Sequence, residues 1–380
     1  MKILLLAGEE SGVLYANQIR AEILRRCPDA EIRGYGDYGF KVEDLAVMGI
    51  EQVLRKLFYF IGVKRTMERA IVDWRPDVVC TIDYPGMNLK LAAYAKARGF
   101  RTVHVVCPQV WAWRRGRIPK VEAALDSLCC FFPFEPALFK PGFAEFVGHP
   151  LVEAMQAERP ASAPEHGAGK LLAVLPGSRI GEIEKHLPIL LEAVRMLRES
   201  LRTAGFAEEL KVVIPAANAR AKAKIESLIS RYAPIDVQQG GARELLRRAD
   251  AAVVASGTAT LEAALAGCPT VLVYKVGWLF AAVARRVIKG VKHLGLANVI
   301  AEKAGTECPM PEYLQENLKA ESVYGHLYEW LTDAAANAAV RQKLAATVAL
   351  LKAGENAIAR IAERVIERPK RKTQEEGESK

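Results

Sequence analysis

Four short loops carry residues whose types and spacing suit chemistry on a phosphorylated sugar. Leu175-Pro176-Gly177-Ser178-Arg179 follows an apolar run and leads through Gly181-Glu182 into a helical pattern. Gly177 lets backbone approach a phosphate, free N–H groups at a helix start point at it, and Arg179 adds a bidentate contact. An ordinary turn with a surface arginine reads the same residues structurally. Ser256-Gly257-Thr258-Ala259-Thr260-Leu261-Glu262 repeats the design after Ala251–Ala255. Its hydroxyls and amides suit a diphosphate, with Glu262 a turn inside to accept from a ribose; a capping box is the plainer alternative. In the first half Asp83, at the end of the apolar run Val78–Ile82, is a candidate general base, or an Asx turn or helix cap. Gln109, Trp111 and Trp113 sit together in Pro108–Arg114, where two indoles either stack on a sugar or lock a loop.

The elements that must hold these loops read as two α/β units. Runs at 2–6, 78–82, 102–106 and 128–132, then 171–175, 211–215, 251–255 and 270–274, have the character of buried parallel strands. Intervening helical patterns, including 182–204, 219–232 and 260–266, imply right-handed crossovers, which put functional loops at the carboxyl ends of the strands. The expected fold class is therefore α/β, with two Rossmann-like doubly wound domains, 1–157 and 171–340, facing a central cleft. Residues 158–170, rich in Pro, Ala and Gly, are expected to link them. Residues 341–368 are expected to be C-terminal helices that can pack back on the first domain, and 369–380 a disordered tail.

At 380 residues with 51% hydrophobic and 26% charged, the composition excludes a mostly disordered, collagen-like or coiled-coil chain. Seven cysteines, with no CxxC pair, give neither a disulfide framework nor a zinc ribbon. No uncharged apolar stretch reaches the roughly 18 residues needed to span a bilayer, and Glu9 and Glu10 interrupt any signal-peptide core, so a cytosolic chain is expected. The net charge of +9 attracts anions, but no nucleic-acid recognition motif accompanies it. Two stretches are apolar and basic together, 53–71 and 276–296, and suit either a membrane surface or a sheet-packed helix. Without a Walker loop or GxGxxG, a P-loop NTPase and a typical dinucleotide dehydrogenase are disfavoured. Without a D-x-D pair, no metal and no cofactor is expected: helix ends and Arg179 must meet the charge of a diphosphate.

AGEESG at 7–12, LAVMGI at 45–50, PQVWAWR at 108–114, FPFE at 132–135, VGHPL at 147–151, LPGSRIGEIEKHLP at 175–188 and ASGTATLEA at 255–263 resemble, in order, the lipid-A-disaccharide synthases. The resemblance implies a GT-B glycosyltransferase that moves 2,3-diacylglucosamine from UDP to the 6-hydroxyl of 2,3-diacylglucosamine 1-phosphate (lipid X), with inversion, in lipopolysaccharide synthesis. It implies donor binding by the second domain, through Gly177, Ser178, Arg179, Ser256, Gly257, Thr258, Glu262 and Asn298. Asp83, Arg179 and Asn298 fall on its catalytic positions, and Ser11, Gly12, Gln109 and Trp111 on the acceptor side. Acylated substrates further imply peripheral attachment to the cytosolic face of the inner membrane; a homodimer is left open.

The sequence departs from the family pattern where AGExSGD ends in Val13 and the following Gly-Ala is Ala16-Asn17. Gly86 and Met87 replace an aspartate and an aromatic after Asp83, Ala297 replaces the proline before Asn298, and Lys303 an arginine beyond it. These departures make a non-catalytic nucleotide-sugar-binding protein, or one with another acceptor, the competing reading. A UDP-sugar epimerase fits two Rossmann halves, but not PQVWAWR or FPFE.

Overall fold

The computed structural model describes residues 1–8, 10–41, 57–158, 169–206, 210–232, 234–277, 290–354 and 356–367. LAVMGI, most of the expected linker, the centre of the second apolar-basic stretch and the tail lie outside them.

The first unit comprises β1 (Lys2–Ala7), α1 (Glu10–Arg26), β2 (Glu31–Arg33), α2 (Leu57–Trp74), β3 (Val78–Ile82), α3 (Pro85–Lys96), β4 (Arg101–Val105), α4 (Ile118–Ala124), β5 (Ser127–Cys130), β6 (Ala144–Phe146) and α5 (Pro150–Ala157). Its strands pair in parallel in the order β2-β1-β3-β4-β5-β6. Alternation along β1 decides which helices cover which face. Ile3, Leu5 and Ala7 pack with Ile19 and Ile23 of α1, whereas Leu4 and Leu6 meet Val63, Met67 and Ile71 of α2 and Leu91 of α3. Each such side chain contributes about 1.5–3 kcal/mol when fully buried.

The second unit comprises β7 (Lys170–Leu175), α6 (Ile180–Thr203), β8 (Leu210–Ala216), α7 (Ala219–Ile229), β9 (Asp236–Gln239), α8 (Ala242–Arg248), β10 (Ala251–Ala255), α9 (Thr258–Ala266), β11 (Thr270–Tyr274), α10 (Leu296–Ala304), β12 (Glu312–Leu314), α11 (Ala320–Thr332), α12 (Ala334–Ala349) and α13 (Ala357–Ile366). The order β12-β11-β10-β7-β8-β9 is again wholly parallel. α6, α7 and α11 cover one face, and α8, α9, α10 and α12 the other.

Strand order reverses between β1 and β3 in the first sheet and between β7 and β10 in the second. A crevice opens at the carboxyl ends of such a pair. Asp83 leaves β3, the 177–179 loop leaves β7 and the 256–258 loop leaves β10. These three loops therefore stand at switch points.

The units exchange helices. α5 buries Leu151, Val152 and Met155 against Leu261 and Leu265 of α9. In return α13 buries Ile361, Ala362 and Val365 in the core of the first sheet, where Arg101 Nη1 donates to the Val365 carbonyl at 2.7 Å and caps the helix. Among the described residues α13 makes this return, whereas residues 341–349, grouped with it from sequence, belong to α12 on the second unit.

Candidate active site

A pocket of ≈390 Å³ opens between the β7 and β10 loops, lined by Gly177, Ser178, Arg179, Ser256, Gly257 and Thr258, with Pro215–Ala217 and Gly240 closing its side. It lies at the N-termini of α6 and α9, whose unpaired amides favour an anion. Gly177 is required twice over: its φ is +118°, and a Cβ there would stand 2.6 Å from Glu182 Oε2. Arg179 is the N-cap of α6, and its Nη1 donates to Glu182 Oε1 at 2.7 Å with the side chain 57% exposed. The guanidinium itself stands in solvent, although Glu182 is largely covered, so Arg179 can turn from Glu182 to an anion in the pocket.

His186 locks the pocket floor. Its Nδ1 lies 2.7 Å from the Pro176 carbonyl, while Nε2 accepts from Lys275 N–H at 2.8 Å. A carbonyl cannot donate, so the proton sits on Nδ1, and burial, lowering the imidazole pKa, keeps the ring neutral. One buried side chain thus staples the β7 turn to the segment after β11.

In the first unit the chain turns at Asp83 (φ +48°) and Tyr84 (φ +50°), two successive left-handed residues. Such backbone persists only when its surroundings over-determine it. Here Asn88 does so: its amide donates to the carbonyls of Leu6 (3.2 Å), Ile82 (3.1 Å) and Asp83 (2.8 Å), and its Oδ1 accepts from the Tyr35 hydroxyl at 2.8 Å. Asn88→Ala is expected to cost about 1–3 kcal/mol and to lower turnover with it; calorimetric melting checks the first and steady-state kinetics the second. An unchanged Tm would contradict the staple.

Burial raises the Asp83 pKa, partly offset by the Tyr84 N–H that reaches Oδ1 at 2.8 Å. Burial also pushes the phenol of Tyr15, on α1, up to about 12, helped by the charges of Asp83 and Glu262 and opposed by Arg243. Tyr15 therefore feels the first unit's Asp83 together with charged groups of the second.

Several expected residues take other roles. Glu262 Oε1 accepts from Arg243 Nε at 2.9 Å, and Arg243 goes on to Glu158 Oε1 at 2.8 Å, so Glu262 closes an ion-pair chain between α9, α8 and the end of α5. Asn298 is fully buried; its Nδ2 donates to the Met310 carbonyl (2.7 Å) and Glu312 Oε1 (2.8 Å), and its Oδ1 accepts from Met310 N–H (3.0 Å). With these hydrogen bonds it staples α10 to the segment before β12. Trp111 is 4% exposed, donates from Nε1 to Glu135 Oε1 at 2.9 Å and packs on Phe134 and on Val299 of α10. It locks the loop across the two units, where Gly290 N–H donates to the Ala112 carbonyl at 3.0 Å. Gln109 is exposed on the same loop, Gly12 is buried in α1, and Ser11 stands in the first turn of α1.

Tyr35, Asn88, Glu135 and His186 were not singled out from sequence. Two lie inside quoted motifs, Glu135 closing FPFE and His186 within LPGSRIGEIEKHLP, and Asn88 stands five residues after Asp83, so a polar residue in or beside a motif was the available signal. Among the described residues, one set of metal-ligating side chains converges, Cys107, Cys130 and Glu135, all buried and within 4.8 Å of one another. It stands beneath the 108–114 loop, where Glu135 already accepts from Trp111 Nε1 and, through Oε2, from Phe132 N–H at 3.1 Å. Burial raises the Glu135 pKa to about 8 from 4.5. The folded chain therefore holds a proton that the unfolded chain gives up, so this group destabilises the fold increasingly as pH climbs from about 4.5 to about 8. Glu135→Gln is expected to flatten that decline in denaturant titrations across the interval; an unchanged slope would locate its origin elsewhere.

The lipid-A-disaccharide synthetase family profile matches residues 3–364. The lipid-A-disaccharide synthase of Chromohalobacter salexigens is 36% identical over 373 residues, covering 93% of this chain and 94% of that one. That of Neisseria meningitidis serogroup B is 35% identical over 365 residues, covering 91% and 92%. Among solved structures, the calicheamicin glycosyltransferase CalG4 superposes with a TM-score of 0.56 at 17% identity, over 96% of this chain and 97% of that one. A UDP-GlcNAc 2-epimerase from Neisseria meningitidis, bound to UDP-GlcNAc, gives 0.59 at 12% identity over 96% and 99%. At such identities the structures establish shared architecture, two Rossmann-like domains in the GT-B arrangement, while the sequence matches establish kinship. The chain belongs to the lipid-A-disaccharide synthetase family.

Proposed function

We propose that the chain transfers a 2,3-diacylglucosamine unit from its UDP donor to the 6-hydroxyl of 2,3-diacylglucosamine 1-phosphate, inverting the anomeric carbon and releasing UDP. The observation that carries this reading is the pairing of switch points: a carboxyl of raised pKa at one, and an anion pocket between two helix N-termini at the other. Asp83 takes the proton of the acceptor hydroxyl as its oxygen bonds to C1, and the C1–O bond to the diphosphate breaks. A pKa above the ordinary carboxylate value makes Asp83 a better base. The amides of α6 and α9, Ser178, Ser256 and Thr258 receive the charge on the leaving UDP, and Arg179 moves onto it from Glu182. In this reading neither metal nor cofactor enters the reaction. NMR of the product's new anomeric linkage tests it: a β linkage from the α-linked donor, formed equally well in EDTA, is expected, and an α linkage contradicts it.

The same reading places the chain on an anionic membrane surface through α2. Among its described residues no helix is long and apolar enough to cross a membrane. α2 packs Val63, Met67 and Ile71 inward, yet leaves Phe58 85% exposed and Ile61 38%, beside exposed Arg65 and Arg69. The variant Phe58→Ser/Ile61→Ser is expected to lower the partition coefficient onto phosphatidylglycerol vesicles, read by sedimentation, by roughly a hundredfold or more, at about 1.5–3 kcal/mol for each of the two apolar side chains. Unchanged sedimentation would remove α2 from the contact.

A further inference from the structure

The cluster beneath the 108–114 loop has no part in the reaction described above. Cys107 follows β4, Cys130 ends β5 and Glu135 closes FPFE, so successive connections of the first sheet meet there. Parallel pairing sets Val105 against Cys129 and brings the two cysteines to within one residue of register. Side-chain alternation alone would turn Cys107 to the face that Val105 occupies, towards α1 and α13. It packs instead in the opposite cluster, with Cys130, because the intervening Val106 is held at φ +75°, a conformation rarely adopted by a β-branched residue.

The two sulfurs and a Glu135 carboxylate oxygen all lie within 4.8 Å of one another, in residues 4%, 0% and 2% exposed. Trp111 Nε1 donates to Glu135 Oε1 at 2.9 Å and Phe132 N–H to Oε2 at 3.1 Å. These bonds fix the carboxylate as outer hydrogen bonds fix a metal ligand, and leave each oxygen a further lone pair. Among the described residues no lysine, arginine or histidine pairs with Glu135, and burial holds its carboxyl above the usual value. A buried carboxyl beside two thiols is costly to keep without a cation, and it completes the donor set of a thiophilic metal.

We propose that Cys107, Cys130 and Glu135 bind a zinc ion that clamps the ends of β4 and β5 beneath the 108–114 loop. Zinc takes thiolate sulfur at about 2.3 Å and carboxylate oxygen at about 2.0–2.2 Å, which ligand atoms this close together meet around one centre; the fourth position falls to a small ligand such as water. Each thiol loses its proton to solvent as its zinc–sulfur bond forms, and Glu135 binds as the carboxylate. The ion serves the scaffold and not the transfer. The loop it ties down carries Trp111 onto Val299 of α10 and offers the Ala112 carbonyl to Gly290 N–H, so it steadies the seam between the two units. Its site stands whether or not the chain transfers sugar. Enclosed in this way the ion is not drawn from the folded chain by EDTA, and Glu135 titrates as described above in the ion-free chain.

Because the site is closed once the chain has folded, the ion must enter during folding. The test is therefore expression of the full, untagged chain in minimal medium with Co²⁺ in place of Zn²⁺, and purification under reducing conditions. One Co²⁺ per chain is expected, with the sulfur-to-cobalt charge-transfer absorption of thiolate ligation and the visible bands of a tetrahedral ion. Cys107→Ala/Cys130→Ala is expected to lose metal and absorption together, while Cys27→Ser/Cys308→Ser, which alters the two less buried cysteines, keeps both. The single variant Cys107→Ala, with one thiolate left, is expected to lose roughly half of the charge-transfer intensity, which decides the matter should the double variant fail to fold. Glu135→Gln is expected to shift the visible bands. A chain without cobalt, or with cobalt but no charge-transfer absorption, overturns the site, as does undiminished absorption in either Cys107 variant. Unshifted bands in Glu135→Gln would likewise overturn the three-residue centre.

Discussion

Asp83→Asn lowers kcat by roughly 10²–10⁴-fold, the usual loss when a general base is removed, while UDP binds as tightly as to the unaltered chain. The split follows from where the residue stands. Asp83 leaves β3 in the first unit, whereas the pocket proposed for the diphosphate is lined wholly by residues of the second. An amide fits the same turn and still accepts from Tyr84 N–H, so the strained backbone held by Asn88 is kept and only the proton acceptor is lost. The pH profile gives a second readout. Because burial raises the Asp83 pKa, kcat/KM should climb with pH through a limb above the ordinary carboxylate value, and the asparagine variant should lose that limb. Full turnover in the variant would remove Asp83 from the reaction.

Arg179→Ala acts on the other side of the cleft, weakening UDP and slowing transfer together. A charge-assisted hydrogen bond of about 1.5–3 kcal/mol corresponds to roughly ten- to a hundredfold in UDP affinity. The loss is read by calorimetric titration of UDP, and a second effect on kcat is expected because charge on the diphosphate grows as the bond to C1 breaks. Glu182 bears on the outcome: it holds the guanidinium at 2.7 Å beside the pocket, so binding exchanges one carboxylate partner for a doubly charged one. Unaltered UDP affinity would show that the helix N-termini carry the diphosphate without Arg179.

Much of this was legible in the sequence because buried strands announce themselves. Val78–Ile82, Ala251–Ala255 and Thr270–Tyr274 are read to the residue, since a strand covered on both faces must be apolar throughout. β2, β6, β9 and β12 were not legible, and each is a sheet edge of three or four residues, such as the wholly polar-flanked Asp236–Gln239, with little apolar content to register. The loops at the switch points were readable for a related reason: Gly177, Ser256 and Gly257 follow apolar runs directly, and small residues there leave backbone amides open.

What the sequence could not show is how a side chain is used once the chain has folded. Glu262 looks the same in one dimension whether it faces a ribose or Arg243, nineteen residues away. Asn298 finds Met310 and Glu312, and Trp111 finds Glu135 and Val299, only through tertiary packing.

The most direct measurement is UDP release by the purified chain from UDP-2,3-diacylglucosamine, with and without 2,3-diacylglucosamine 1-phosphate, with mass detection of the lipid product. UDP released only when acceptor is present, together with the tetraacyl disaccharide 1-phosphate, is the predicted result. UDP bound with neither UDP release nor disaccharide would contradict the transferase account and leave a nucleotide-sugar-binding protein on the same fold.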